Sequence, residues 1–82
     1  MLRPTAVEVH PEENYKIKVA FDNGEVKLFD VKPYINGDWF GKLSDVSVFN
    51  SVRPCGNTIE WSGGQDIAPH ELYELSSVIA NQ

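Results

Sequence analysis

The feature that most constrains this chain is a hairpin. Tyr15-Lys16-Ile17-Lys18-Val19-Ala20-Phe21 alternates apolar and polar residues, Asp22-Asn23-Gly24-Glu25 turns, and Val26-Lys27-Leu28 alternates again. Period-two alternation sends successive side chains to opposite faces, so the pattern reads as two antiparallel strands with one buried face. Asn23-Gly24 suits a two-residue turn with positive φ at both central positions. That register puts Tyr15, Ile17, Val19, Phe21, Val26 and Leu28 inward and Lys16 and Lys18 in solvent. Phe29 then points the other way, a sign that the second face is not simply wet.

The flanking segments extend the sheet. Thr5 to His10 reads as a first strand with Val7 and Val9 on one face, ended by Pro11 and Glu12-Glu13-Asn14. Lys32 to Asp38 breaks the third strand. Trp39, Phe40 and Leu43 then fall at the spacing of a short helical turn, with Pro33 opening the turn before it. A fourth strand is expected near Phe49 to Arg53, and a fifth at Thr58-Ile59-Glu60-Trp61, with turns at Cys55-Gly56-Asn57 and Gly63-Gly64. Ala68, Leu72, Leu75 and Ile79 recur at helical spacing, and Pro69 suits the first turn of a closing helix of about 12 residues. The expected class is α+β: a small, mainly antiparallel sheet of about five strands, a short middle helix or turn, and a C-terminal helix. One such helix leaves part of the sheet bare, so Phe29, Val31 and Tyr34 are expected on a face that pairs with another subunit.

Size and charge limit the function. The 82 residues make one domain with a thin core. A net charge of −5, with seven basic residues scattered from Arg3 to Arg53, argues against the phosphate backbone of nucleic acid as a partner. The single cysteine, Cys55, excludes an internal disulfide and any zinc site built from cysteine pairs. No apolar run is long enough to span a membrane, and no secretory signal is visible, so a cytoplasmic protein is expected.

Taken in order, several segments resemble one family. They are Pro4-Thr5-Ala6-Val7-Glu8-Val9, Val19-Ala20-Phe21-Asp22-Asn23-Gly24-Glu25, Phe29-Asp30-Val31-Lys32-Pro33-Tyr34-Ile35 and Phe40-Gly41-Lys42-Leu43-Ser44-Asp45 with Phe49. Thr58-Ile59-Glu60-Trp61, Asp66-Ile67-Ala68-Pro69 and Glu71-Leu72-Tyr73 complete the set. Together they resemble the small bacterial family catalogued as domain of unknown function 2442, from Arg3 to Leu75. The resemblance implies a compact α+β domain, found alone or fused to a helix-turn-helix domain. It also implies that genes for lone members often sit beside one for another small protein, an arrangement that has prompted a toxin–antitoxin reading. It brings no catalytic residues with it.

The residues capable of chemistry are few. His10 and His70 lack partners at ligand spacing and read as surface histidines, and Cys55 as a loop thiol. No nucleophile elbow, phosphate loop or dinucleotide fingerprint is present. Trp61-Ser62-Gly63-Gly64-Gln65-Asp66 has two readings. It forms a recognition pocket before a helix, or Trp61 packs in the core and Asp66 caps the helix or its entry turn. The Trp39-Phe40 pair has the same two readings, and for both segments packing is favoured. The residues of a possible binding surface are thus Phe29, Tyr34, Trp39, Trp61, Gln65, Asp66 and His70, with no catalytic, metal or cofactor residue.

The function expected is a non-catalytic interaction module, a homo-oligomer, that binds a small companion protein and neither nucleic acid nor membrane. A basic toxin that the acidic chain neutralises is one version. The alternatives are a sensor or dimerisation domain related to transcriptional regulators, and a small enzyme with a site between subunits.

Overall fold

A computed structural model describes residues 4–81; Arg3, where the family resemblance begins, lies outside them. The chain runs β1 (Ala6–Glu12), a 3-10 turn at Glu13–Tyr15, β2 (Lys16–Phe21), β3 (Glu25–Asp30) and a 3-10 turn at Lys32–Tyr34. The middle follows as α1 (Gly37–Phe40), a 3-10 turn at Gly41–Ser44 and α2 (Val46–Phe49). Then come β4 (Arg53–Cys55), β5 (Thr58–Glu60), α3 (Pro69–Glu74) and β6 (Ser77–Asn81). β1-β2-β3-β6 form a four-stranded antiparallel sheet and β4-β5 a separate two-stranded one. The α+β class, the antiparallel sheet, the helical middle and the last helix all agree with the expectation.

The hairpin is present, but its register differs by one residue. Gly24 N donates to Phe21 O at 3.1 Å and Gly24 adopts φ 91°, whereas Asn23 is not left-handed. The loop is therefore the three residues Asp22-Asn23-Gly24, a turn completed by a left-handed glycine, rather than Asn23-Gly24 alone. The Asn23 side chain fixes it further: Oδ1 accepts from Glu25 N at 3.0 Å and Nδ2 donates to Glu25 Oε1 at 2.7 Å. With one more loop residue, Val19 pairs with Lys27 and Ile17 with Phe29.

A one-residue slip flips every side chain of a strand. Lys27 and Phe29 therefore enter the core, while Val26 and Leu28 lie half-buried on the opposite face. Phe29 and Val31, expected on an uncovered face, are fully buried, and Tyr34 is half-buried. A comparable shift occurs in β1, where a bulge between Ala6 and Glu8 turns Val7 outward while Val9 stays buried.

The last segment departs most from expectation. The helix ends at Glu74, and residues 77–81 form a strand on β3, with Leu28 opposite Ser77 and Val26 opposite Ala80. Only Leu72 of α3 is buried; Leu75 and Ile79, expected on the helix's apolar stripe, are 64% and 52% exposed. Helix propensity fades at Ser76-Ser77, and the β-branched pair Val78-Ile79 favours a strand once β3 offers a free edge.

The buried face of the sheet is covered from the helical middle, the β4-β5 hairpin and α3. Leu43, Phe49, Val52, Ile59, Trp61, Ile67 and Leu72 join Ile17, Val19, Phe21 and Phe29 in one cluster. Lys27 enters it with a charge to satisfy. Its Nζ donates to Tyr73 O at 2.5 Å and lies 3.6 Å from the Tyr73 ring centroid. The acceptor belongs to the final turn of α3, where carbonyls lack helical partners and a cation is favoured.

Substituting Gly24→Ala forces a Cβ onto a left-handed backbone and is expected to cost about 1–3 kcal/mol. Urea unfolding checks this; an unchanged midpoint would contradict the turn assignment.

Candidate interaction surface

The structure separates the residues that sequence reasoning grouped. Trp61 is fully buried, and its Nε1 donates to Phe49 O at 3.0 Å. Gln65 is also fully buried; its Nε2 donates to Trp39 O at 2.9 Å. Neither reaches a surface. The cause at Trp61-Gln65 is a second three-residue turn built like the first. Gly64 N donates to Trp61 O at 2.9 Å, Trp61 N to Gln65 O at 2.8 Å, and Gly64 has φ 94°. Closing this turn points both flanking side chains inward. Asp66 is exposed, paired across the chain with Glu60, and does not cap α3, whose N-cap Ala68 makes no side-chain bond.

Trp39 and His70 are exposed. The Trp39 ring stands over the glycine turn, where a Cβ added to Gly64 would touch it at 3.5 Å. The Lys42 ammonium lies 5.6 Å from its centroid. His70, on α3, has its Nε2 4.0 Å from Glu71 Oε2.

Two of the expected residues do converge. Phe29, Asp30, Pro33, Tyr34 and Leu75 line a notch of about 340 Å³ where the end of β3 meets the chain leaving α3. Phe29 is its floor and Tyr34 a wall, with the two rings 5.6 Å apart. The Tyr34 hydroxyl donates to Glu71 Oε1 at 2.9 Å. Burial first, and then that carboxylate, push the Tyr34 pKa up, so it stays a neutral phenol. Leu75 is the exposed lip.

Beside the notch runs β6. It pairs with β3 on one side, and no described strand pairs with its other edge. Val78 and Ile79 are 48% and 52% exposed there. Leu75 and Ile79 were missed as surface residues because their spacing, with Ala68 and Leu72, fits a helical stripe. The signal that separates the readings is Ser76-Ser77 followed by two β-branched residues.

The groups capable of chemistry are dispersed. Among the described residues, no cluster of three or more His, Cys, Asp and Glu could hold a metal ion. Cys55 is exposed, and the Glu60 carboxylate beside it pushes its pKa up, disfavouring the thiolate. Arg53, whose charge would act the other way, is engaged by the same Glu60 at 3.0 Å. The notch therefore offers burial for an apolar side chain, and the edge offers backbone donors and acceptors. No described helix is long and apolar enough to cross a membrane.

These features define a small α+β sheet domain with an open edge at β6 and an apolar notch beside it. Its family follows from comparison: the model of the DUF2442 family, described as a protein of unknown function, matches residues 6–77, and the chain belongs to that family. No curated protein and no solved structure matches it.

Two titrations test the electrostatics. The Tyr73 hydroxyl donates to Glu25 Oε1, and this bond first, then Asn23, holds the Glu25 carboxyl below its ordinary 4.5. A lowered folded pKa contributes stability that is present above 4.5 and lost as pH falls through the folded value. Tyr73→Phe is expected to raise the Glu25 midpoint seen by carboxyl NMR and to flatten that acid-side loss. Cys55 alkylation should reach half its maximal rate above pH 9.0, and Glu60→Gln should move that midpoint down.

Proposed function

We propose that this chain is a non-catalytic protein-interaction module whose partner adds a strand to the open edge of β6. The observation that carries the reading is this edge, which exposes Val78 and Ile79 and continues into the notch at Leu75. Strand addition draws affinity from backbone hydrogen bonds and specificity from pockets for alternate side chains. An exposed apolar edge without charge or proline is the kind that natural sheets protect or use. The net charge of −5 favours a basic partner, which the acidic surface would steer into place. A small companion protein in the cytoplasm, including a basic toxin that this chain neutralises, fits the reading.

A second copy of the chain is the competing occupant. Ser77–Asn81 holds no charged residue, so two β6 strands could pair antiparallel about a twofold axis without like-charge repulsion.

Affinity capture with the tagged chain, beside analytical ultracentrifugation, separates these cases. A small basic protein is expected at 1:1 stoichiometry, lost at least tenfold in Val78→Lys and Ile79→Lys and retained in the exposed control Val7→Lys. A dimer abolished by the same edge variants would assign the edge to self-association. Capture indifferent to the edge variants would overturn the reading.

A further inference from the structure

The connection between β1 and β2 forms a second cavity, of about 460 Å³, on residues that the edge reading does not use. It is lined by Pro11, Glu12, Glu13, Asn14, Tyr15, Val46, Phe49 and Asn50. We propose that this cavity is an arginine-binding pocket for a basic segment of the partner protein. The proposal rests on the reading of this chain as a module for a basic partner.

The wall chemistry selects the ligand. Phe49 is buried at the floor, and Tyr15 meets it edge to face, with centroids 5.3 Å apart at 80°. Aromatic rings suit a guanidinium, a planar and weakly hydrated cation that stacks where an ammonium does not. Val46, 59% exposed, and Pro11 offer apolar cover for a methylene stem. Glu12 and Glu13 are exposed carboxylates, and Asn14 and Asn50 add amide oxygens that accept from a guanidinium. No lining residue is cationic, so an anion finds no counter-charge. Lys16 stands opposite Glu12 in the strand register, yet neither Glu12 nor Glu13 forms an ion pair among the described residues. The two carboxylates remain available to a partner's cation.

The cavity is also held in shape before any ligand arrives. Asn14 and Tyr15 adopt φ 61° and 59°, a left-handed conformation that bulky side chains avoid. The structure around them sustains it. Tyr15 OH donates to Ser44 O at 2.6 Å, and Val31 N donates to Tyr15 O at 2.9 Å. On the facing side, Asp45 caps α2 through Ser47 N at 2.9 Å. A preformed pocket spares the ordering cost of binding.

The probes are three blocked tripeptides, Gly-Arg-Gly, Gly-Lys-Gly and Gly-citrulline-Gly, and free arginine, each titrated into the full chain and followed by amide NMR. Saturable shifts from Gly-Arg-Gly are expected at Asn14, Tyr15, Val46 and Asn50. Gly-Lys-Gly should bind several-fold more weakly, and the neutral citrulline peptide should not bind. Glu12→Gln and Glu13→Gln, both at exposed positions, should each weaken Gly-Arg-Gly several-fold with the rest of the spectrum unchanged. Free arginine binding more tightly than the blocked peptide would point to a small-molecule site and overturn the assignment to a partner segment. Equal binding of the lysine and arginine peptides, shifts spread over acidic residues elsewhere such as Asp22 and Asp38, or indifference to both Glu variants would overturn it too. The Val78→Lys and Ile79→Lys captures are scored separately, so the edge reading survives if this pocket fails, and the pocket titration stands if the edge variants have no effect.

Discussion

The Asp22-Asn23-Gly24 turn sets which side chains of β3 enter the core, and the other elements are arranged around that choice. It delivers Phe29 and Lys27 to the buried face, one wholly apolar and the other ending in an ammonium. A buried unpaired charge costs several kcal/mol, so Lys27 requires an acceptor above it. The final turn of α3 supplies one in the Tyr73 carbonyl, and the Tyr73 ring adds a cation–π contact. The Tyr73 hydroxyl then reaches back to Glu25 at the start of the same strand. One turn geometry thus fixes where the closing helix docks, and the chain leaving that helix falls onto the free edge of β3 as β6.

Much of this was legible in the sequence. The alternating hairpin announced the sheet, the order of strands and turns gave the α+β class, and the proline before His70 opened the last helix. What could not be read was register. Asn23-Gly24 is equally at home in a two-residue turn and at the end of a three-residue one, and the two differ by one pairing step. Val26 and Leu28 looked like the natural core residues beside Lys27. The long-range acceptor on Tyr73, 46 residues away, and the burial of Phe29 favour the opposite choice.

The candidate surface was less legible for the same reason. Trp61 and Gln65 were attractive because they flank a flexible glycine pair, but that pair closes a turn that drives both inward. Gln65 spends its amide on the Trp39 carbonyl and so ties the helical middle to the turn. Leu75 and Ile79 fit a helical stripe by spacing alone, and become surface only because β3 offers an edge to a β-branched segment. Local pattern thus identified the fold, while the surfaces depend on pairings between residues distant in the chain.

The account stands or falls on the β2–β3 register, which NMR reads directly through cross-strand nuclear Overhauser contacts. It predicts backbone contacts linking Val19 with Lys27 and Ile17 with Phe29. Contacts linking Phe21 with Val26 and Val19 with Leu28 would mean a two-residue turn. They would return Lys27 to solvent and contradict the docking of α3 and β6 built upon it.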